Sequence, residues 1–351
     1  MQQVVRFGVV GAGEIGRLRA EALRSVPGCR LEAVADTDPQ HAQAAARASG
    51  VRSFADHGRM LADAALDAVV VSTPPHLHEG ITLAALEAGK HVLCEKPLAP
   101  TADACRRMVA CARRRGLTLA TGFNQRYFPA IQFIKQALDR GDLGRLCHVK
   151  AYAGHSGLNE FRQPWEHDSQ VIGGGTLMDN GIHLIDHVRF LLGEIEEVYG
   201  FASSRIWKLN GSEDNGFALL RGADERLATL HSSWSEWAGY RFSIEAYGDR
   251  GMARASYGPM FATVIQLDET GGRARRARKF YPWIAFREKV RGWQTTVRAT
   301  FEQELGDFLG LLQNRPGSIA DGVAGLRAVE IAHAVYASSR SRSPVTLTQE
   351  I

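Results

Sequence analysis

The sequence predicts an α/β chain: an N-terminal doubly wound parallel sheet of the Rossmann type, then a C-terminal α+β domain with a large, mainly antiparallel sheet. Three observations predict it. Short apolar runs at residues 5–10, 31–35, 68–72 and 91–94, with a fifth at 117–122, alternate with helix-like segments, the signature of successive βαβ units. A glycine-rich turn, Gly11-Ala12-Gly13-Glu14-Ile15-Gly16, follows the first run directly. Beyond Gly122 the pattern changes. Between 198 and 265, runs such as 217–220, 227–233 and 240–247 alternate with Gly, Asp and Asn turns, as antiparallel strands do.

In the first part, Ile15, Leu18, Ala22 and Leu23 fall at helical spacing after the glycine turn. Helical segments are also expected around Ala62 and Ala65, at 79–88 and at 102–115; Gly89 and Gly116 stand where a helix C-terminus calls for glycine. The later part is expected to hold helices at about 129–138, 175–192, 295–312 and 322–339, an exposed basic loop at 270–279, and a strand or tail at 344–347. Residues 1–121 are therefore read as one domain, of α/β type, and 122–351 as a second, of α+β type. A chain of 351 residues suits two such domains.

A hydrophobic fraction of 45% and a charged fraction of 23% describe a globular chain, with no sign of disorder. The formal net charge of +4 is too small and diffuse for nucleic acid or an anionic membrane. Five cysteines without a CxxC pair indicate neither a disulfide framework nor a thiolate zinc site. No basic leader or membrane-length apolar run is visible, so the expectation is a cytoplasmic protein without membrane partners.

The glycine turn has the context a dinucleotide site needs. Gly11 permits the tight turn, Gly13 lets pyrophosphate approach the backbone, and Gly16 lets helix and strand pack closely. The helix N-terminus attracts the phosphates. The second strand ends in Asp36, about twenty residues after Gly16, where a carboxylate accepts from a ribose diol. Asp36 would repel a 2′-phosphate, and no Arg or Lys follows it before Arg47, so NAD is expected over NADP. The expected cofactor contacts are Gly11, Gly13, Glu14, Ile15, Gly16, Asp36 and Thr37, then Ser72, Thr73, Pro74 and His78, then Glu95, Lys96 and Asn124. Glu14 must point away from the pyrophosphate.

The third strand ends in Ser72-Thr73-Pro74-Pro75-His76-Leu77-His78 and the fourth in Cys94-Glu95-Lys96-Pro97, both at the carboxyl ends of strands, where open α/β sheets bind ligands. With Gly122-Phe123-Asn124-Gln125-Arg126 and Gly173-Gly174-Gly175-Thr176-Leu177-Met178-Asp179-Asn180-Gly181-Ile182-His183, these motifs resemble the glucose-fructose oxidoreductase, inositol dehydrogenase and MocA family over nearly the whole chain. The resemblance implies an oxidoreductase in which Lys96, Asp179 and His183 are catalytic. It also places the Thr73–His78 loop over the cofactor and implies a homodimer or homotetramer.

The residues read independently agree. Asp179 and His183 are four apart in a helical segment and share a face. Oxidising a secondary alcohol needs a base near neutral pH, for which histidine is suited, and Lys96 would stabilise the developing alkoxide. Asp179 would orient the hydroxyl or relay its proton. Alternatively, Asp179, His183, Asp186 and His187 are a metal-ligand pattern, although no metal is expected. Pro97 is expected to follow a cis peptide bond that presents Lys96.

Substrate contacts are expected from Lys96, Arg126, Tyr127, Trp165, Asp179, Asn180 and His183, with Asn124, Asn159, Arg162 and His167 also candidates. Polar groups and an aromatic face suit a sugar. The expected activity is NAD-dependent hydride transfer at a secondary alcohol of a cyclic polyol or sugar, inositol-like or aldose-like. Two alternatives stand: a redox-assisted glycosidase or elimination enzyme, and a non-catalytic dinucleotide-binding regulator.

Overall fold

The computed structural model describes residues 4–161, 163–268 and 270–348. The chain forms two compact units: Met1–Tyr127 with Glu288–Leu326, and Phe128–Arg287 with Arg327–Ile351.

The first unit is built on β1 (Val5–Val10), β2 (Cys29–Ala35), β3 (Arg52–Phe54), β4 (Ala68–Val71), β5 (His91–Glu95) and β6 (Leu119–Gly122), with α1 (Glu14–Ser25), α2 (Pro39–Ser49), α3 (His57–Asp63), α4 (His78–Glu87) and α5 (Ala102–Arg115) between them. Its strand order runs β6-β5-β4-β1-β2-β3, all parallel, so β1 stands where the winding reverses. That reversal is the topological switch point at which such sheets take a dinucleotide. Strand β4 is Ala-Val-Val-Val and wholly buried, as a strand covered on both faces must be. The helices end as expected: α5 is capped by Gly116 at φ +65°, whose N–H reaches the carbonyls of Ala112 and Arg113.

This unit is larger than residues 1–121, because the chain comes back to it. On the returning helix Gln294–Leu312, Phe301, Leu305, Phe308 and Leu309 are buried in one cluster with Phe7, Val9, Leu18, Leu23 and Leu93. Phe7 and Phe308 meet at 6.0 Å between ring centroids. The strand Ala320–Asp321 then adds antiparallel to β6 and closes that edge. The expected boundary at 121/122 therefore moves to 127/128, and 288–326 change unit, since the apolar face of the 294–312 helix completes the first core.

The second unit carries α6 (Pro129–Asp139), β7 (Leu146–Gly154), the short helix α7 (Ser169–Ile172), α8 (Ile182–Leu192), and the strands β8 (Ile195–Ser203), β9 (Asn215–Gly222), β10 (Leu227–Ser233), β11 (Arg241–Gly248), β12 (Gly251–Tyr257), β13 (Phe261–Leu267) and β14 (Arg273–Phe280). Its nine-stranded sheet is ordered β14-β13-β12-β11-β7-β10-β9-β8, with Val345–Thr346 added beyond β8. Neighbours are antiparallel except β7 and β10, which run parallel. Burial alternates along β9, so one face is inward and the other open. Helix α8 packs against β7 on the inward side.

The expected basic loop at 270–279 is instead the edge strand β14. Its Arg275, Arg276, Arg278 and Lys279 read as a solvated loop in the sequence, yet charge is what an exposed sheet edge carries to block pairing with other chains. Among the described residues, no helix is long and apolar enough to cross a membrane.

Candidate active site

In the first unit, the glycine turn leaves β1 and enters α1, and each glycine has its own reason. Gly11 has φ +89°, and a Cβ there would lie 2.5 Å from the Ser72 carbonyl oxygen. At Gly16 a Cβ would lie 1.8 Å from the Gly11 oxygen, an impossible contact. Gly13 differs: nothing lies within 4 Å of where its Cβ would stand. Gly13 also caps α1 without any side-chain hydrogen bond. An open cradle before an uncapped helix N-terminus fits a pyrophosphate, so Gly13 and the first turn of α1 would hold it.

Asp36 stands at the end of β2 and stitches the turn together. Its Oδ2 accepts from the Ala12 N–H at 2.6 Å and its Oδ1 from the Asp38 N–H at 2.8 Å. Two oxygens offer about four acceptor positions, which leaves capacity for a ribose diol. Thr37 beside it is exposed, and Ile15 packs against the first core. The Glu14 carboxylate accepts from Gln294 Nε2 at 3.0 Å, which gives this acid at the helix start a partner.

The loop after β4 holds Ser72, Thr73 and Pro74 half-buried. His78, expected among the cofactor contacts, is fully buried and presents no surface to a ligand. Its Nε2 meets the Thr73 carbonyl at 2.8 Å and its Nδ1 the Pro97 carbonyl at 2.9 Å, so it ties the β4 loop to the β5 loop. Burial holds this imidazole below its usual pKa, against the pull of the two carbonyls.

Glu95 is likewise committed inside the protein. Its Oε1 accepts from Arg19 Nε at 2.7 Å, and Arg19 Nη1 reaches Glu304 Oε2 at 2.5 Å. Arg19 is fully buried, with its guanidinium 3.6 Å from the centroid of the Phe301 ring. Glu95 therefore anchors the end of β5, directly before Lys96. Burial pushes Glu304 up to about 7, against the pull of Arg19. Lys96 is half-buried, and its bond to Pro97 is cis.

The crossover residues expected to line the ligand pocket are hydrogen-bonded within the first unit and tie the crossover down. Asn124 donates to Thr300 Oγ1 at 2.8 Å, Arg126 to the Ser318 carbonyl at 2.9 Å, and the Tyr127 hydroxyl to Asp307 Oδ2 at 2.8 Å. All three are buried, because the returning helix and the segment after it cover them.

In the second unit, Asp179 and Asn180 lie in a π-helical turn, Leu177–Gly181, that runs directly into α8, where His183 is the second residue. Such i→i+5 turns are uncommon and concentrate at functional sites. The Gly173-Gly174-Gly175 run lets the chain reach this turn: a Cβ at Gly175 would lie 2.1 Å from the Glu213 carbonyl oxygen. Glu213 receives the turn. Its Oε2 accepts from Gly175 N–H and its Oε1 from Leu177 N–H, both at 2.7 Å, and Oε1 also accepts from the Tyr336 hydroxyl at 3.0 Å. Burial pushes Glu213 up to about 7, opposed by these donors.

Asp179 is the half-exposed acid of this region, with 23% of its side chain accessible. Its Oδ2 accepts from His155 Nε2 at 3.0 Å and from Trp234 Nε1 at 3.1 Å. His183 is buried to 5% exposure, and Asn180 to 7%. Asp186 and His187 are fully buried; His187 Nδ1 meets the His183 carbonyl at 2.5 Å and its ring packs beside Phe242. Among the described residues, no group of three or more His, Cys, Asp or Glu is placed to hold a metal ion. Trp165 is half-buried in the short helix Pro164–His167, and Asn159 is exposed. Arg162 lies outside the described residues. Sequence reasoning missed His155, Trp234 and Glu213, which hold the Asp179 turn in the second unit, and Arg19 and Glu304, which hold Glu95 in the first.

Both units have counterparts among known proteins. Residues 5–123 match the model of an oxidoreductase family with an NAD-binding Rossmann fold, and residues 131–254 match the GFO/IDH/MocA C-terminal domain. An inositol 2-dehydrogenase of Rubrobacter xylanophilus is 30% identical over 345 residues, which are 97% of this chain and 92% of that one. A myo-inositol 2-dehydrogenase of Thermotoga maritima is 28% identical over 353 residues, covering 99% of this chain and 100% of its own. A levoglucosan dehydrogenase solved with NADH shares the fold at a TM-score of 0.86 and 24% identity, covering 99% of this chain and 100% of that one. The chain belongs to the GFO/IDH/MocA oxidoreductase family and carries its NAD-binding Rossmann fold.

Proposed function

We propose that this protein is an NAD-dependent dehydrogenase acting on a secondary alcohol of a cyclic polyol or sugar. NAD, when bound, supplies the hydride acceptor. His183 takes the hydroxyl proton, Lys96 stabilises the developing alkoxide by its fixed charge, and Asp179 orients the hydroxyl. The joint action of Lys96 with Asp179 and His183 on one substrate is part of the proposal. The observation that carries it is the Asp179–His183 pair on one continuous turn and helix, its acid half-exposed, in a chain 30% identical to an inositol 2-dehydrogenase over 97% of its length. The inositol and levoglucosan dehydrogenases among its relatives support the substrate class.

Asp36 at the β2 end, with no cation following before Arg47, supports NAD over NADP. Trp165 and Asn180 are the proposed further substrate contacts, and Ser72, Thr73 and Pro74 the proposed cofactor contacts beyond the glycine turn. The open face of the nine-stranded sheet supports a homo-oligomer: Phe201, Phe217, Leu219 and Leu227 are 45–58% exposed on it. Phe201 and Phe217 are register partners, and Phe217 stacks on His231 at 4.0 Å between centroids. Sedimentation should show a dimer or tetramer; a monomer at working concentration would overturn that part.

The test of function is an NAD-reduction screen over inositols, aldoses, sugar acids and nucleotide sugars. Stoichiometric NADH with at least one cyclic polyol or sugar is expected. Cleavage of a glycosidic bond without NADH, or NADH binding with no turnover of any member, would overturn the reading.

A further inference from the structure

Asp179 is the one residue of the turn Leu177–Gly181 that is not buried, and a partly accessible carboxylate would ordinarily sample several rotamers. Here one of its oxygens is held twice. Nδ1 of His155 accepts the Gly157 N–H at 3.0 Å, so the ring proton belongs on Nε2, the atom 3.0 Å from Asp179 Oδ2. The Trp234 indole has only an N–H to give, and gives it to the same Oδ2 at 3.1 Å.

The sheet topology explains why two donors converge. Strands β7 and β10 are the only parallel neighbours in the second sheet among the described residues, with Gly154 paired to Ser233. His155 and Trp234 are the next residues on each strand, so both leave at the same end of the sheet. Neighbouring antiparallel strands leave at opposite ends. The His155 N–H bonds the Ser233 carbonyl at 3.1 Å, which joins the two exits. Phe161 then wedges edge-on against both rings, 5.3 Å from His155 and 5.1 Å from Trp234 between centroids. Trp207 Nε1 donates to the Trp234 carbonyl at 2.9 Å. His155 is 5% exposed and Trp234 fully buried, whereas the acid they hold stays half-exposed.

We propose that His155 and Trp234 are positioning residues that clamp Asp179 through Oδ2, so that Asp179 meets the substrate in one orientation and as an acceptor. A proton passing through Asp179 Oδ2 would have to displace two buried donors, so Asp179 orients the substrate hydroxyl and does not relay its proton through that oxygen. This rests on the reading of Asp179 as a substrate-contacting residue.

Two measurements test it. In resting protein labelled with 15N-histidine, long-range proton–nitrogen correlation should show His155 as the Nε2-protonated tautomer, and Asp179→Ala should move its Nε2 resonance. The other tautomer, or a resonance that Asp179→Ala leaves in place, overturns the clamp whatever the enzyme's substrate. In the second measurement, with myo-inositol as probe, His155→Leu and Trp234→Phe should each lower kcat, the former by on the order of 10²-fold, with NADH affinity and a cooperative thermal transition retained, at a lower Tm because both side chains are buried. His155→Gln, which keeps a donor, should recover part of that loss. Unchanged kcat in His155→Leu overturns the proposal. If wild type fails to oxidise myo-inositol or any other alcohol of the screen, the dehydrogenase reading falls, and the tautomer measurement still decides the clamp.

Discussion

Around Gly11, Gly13 and Gly16 the groups offered to a ligand are backbone groups, and at Gly11 and Gly16 the surrounding backbone leaves no room for a side chain. Around Asp179 the working groups are side chains held by other side chains, drawn from β7, β10, the loop before β9 and the C-terminal helix. The first kind of site is local, spanning one strand, one turn and one helix, with Asp36 its distant contributor. The second is non-local: 55 residues separate Asp179 from Trp234, and 123 separate Glu213 from Tyr336. Local sites fail through the backbone, and non-local sites fail through the loss of a supporting group.

The sharpest break of this comparison lies within the glycine turn. Gly16→Leu should abolish both NADH binding and native stability, since its Cβ would sit 1.8 Å from a backbone oxygen. Gly13→Leu meets open space and should keep its Tm while losing NADH binding, read by NADH fluorescence and thermal unfolding. Equal loss of Tm in both would refute separate roles for the two glycines. Next in size, Lys96→Ala and His183→Ala should each lower kcat by about 10²–10⁴-fold with NADH affinity retained. Wild-type turnover in Lys96→Ala would remove Lys96 from the chemical step.

Smaller again is the effect of Asp36→Ala. It should weaken NAD by about tenfold, roughly one charged hydrogen-bond pair, and narrow the preference over NADP. An unchanged ratio of kcat/KM for the two cofactors would remove Asp36 from cofactor choice.

The mildest test compares the buried carboxylates, one in each unit. Burial raises Glu304 and Glu213 to about 7, above the ordinary glutamate value of about 4.3. A raised carboxyl stabilises the fold fully below the unfolded pKa, and that contribution is lost as pH rises through the folded value. Wild-type stability to urea should therefore fall between about pH 4 and 7 from these groups. Glu304→Gln should flatten part of that fall, because Arg19 keeps Glu95 as its partner. Glu213→Gln should flatten its own part but lower kcat as well, because Glu213 holds the turn that carries Asp179. An identical pH slope in both variants and wild type would show that neither group titrates in this range.

What the sequence made legible follows the same division. Five of the six parallel strands, the glycine turn and Asp36 were readable because period, punctuation and spacing all lie within some thirty residues, whereas the three-residue β3 was too short to show a period. Asp179 and His183 were readable as a pair because four residues on a helix define a face. His155 and Trp234 carried no such signal: 79 positions apart, they become neighbours only through the parallel pairing of β7 and β10. His78 and Glu95 were legible as members of ligand-binding motifs, but the bonds by which their side chains tie those motifs to the fold were not. The partners of Asn124, Arg126 and Tyr127 were not legible for a related reason: the 294–312 helix that covers them returns from about 170 residues away.

That returning helix also bears on the order of synthesis. The nucleotide-binding unit begins at the N-terminus, yet Phe301, Leu305, Phe308 and Leu309 of its core, and the Glu304 that answers Arg19, are translated only after most of the other unit. Domains translated in one piece can fold as they emerge from the ribosome. This one cannot finish its core from its first 127 residues. Until residues 288–326 have been made, the face of α1 that receives Phe301 and Phe308 lacks its cover, and Arg19 lacks one of its two anions. A nascent chain arrested before that point should stay protease-sensitive and bind NADH poorly, and a gene fragment ending at the crossover should behave the same way.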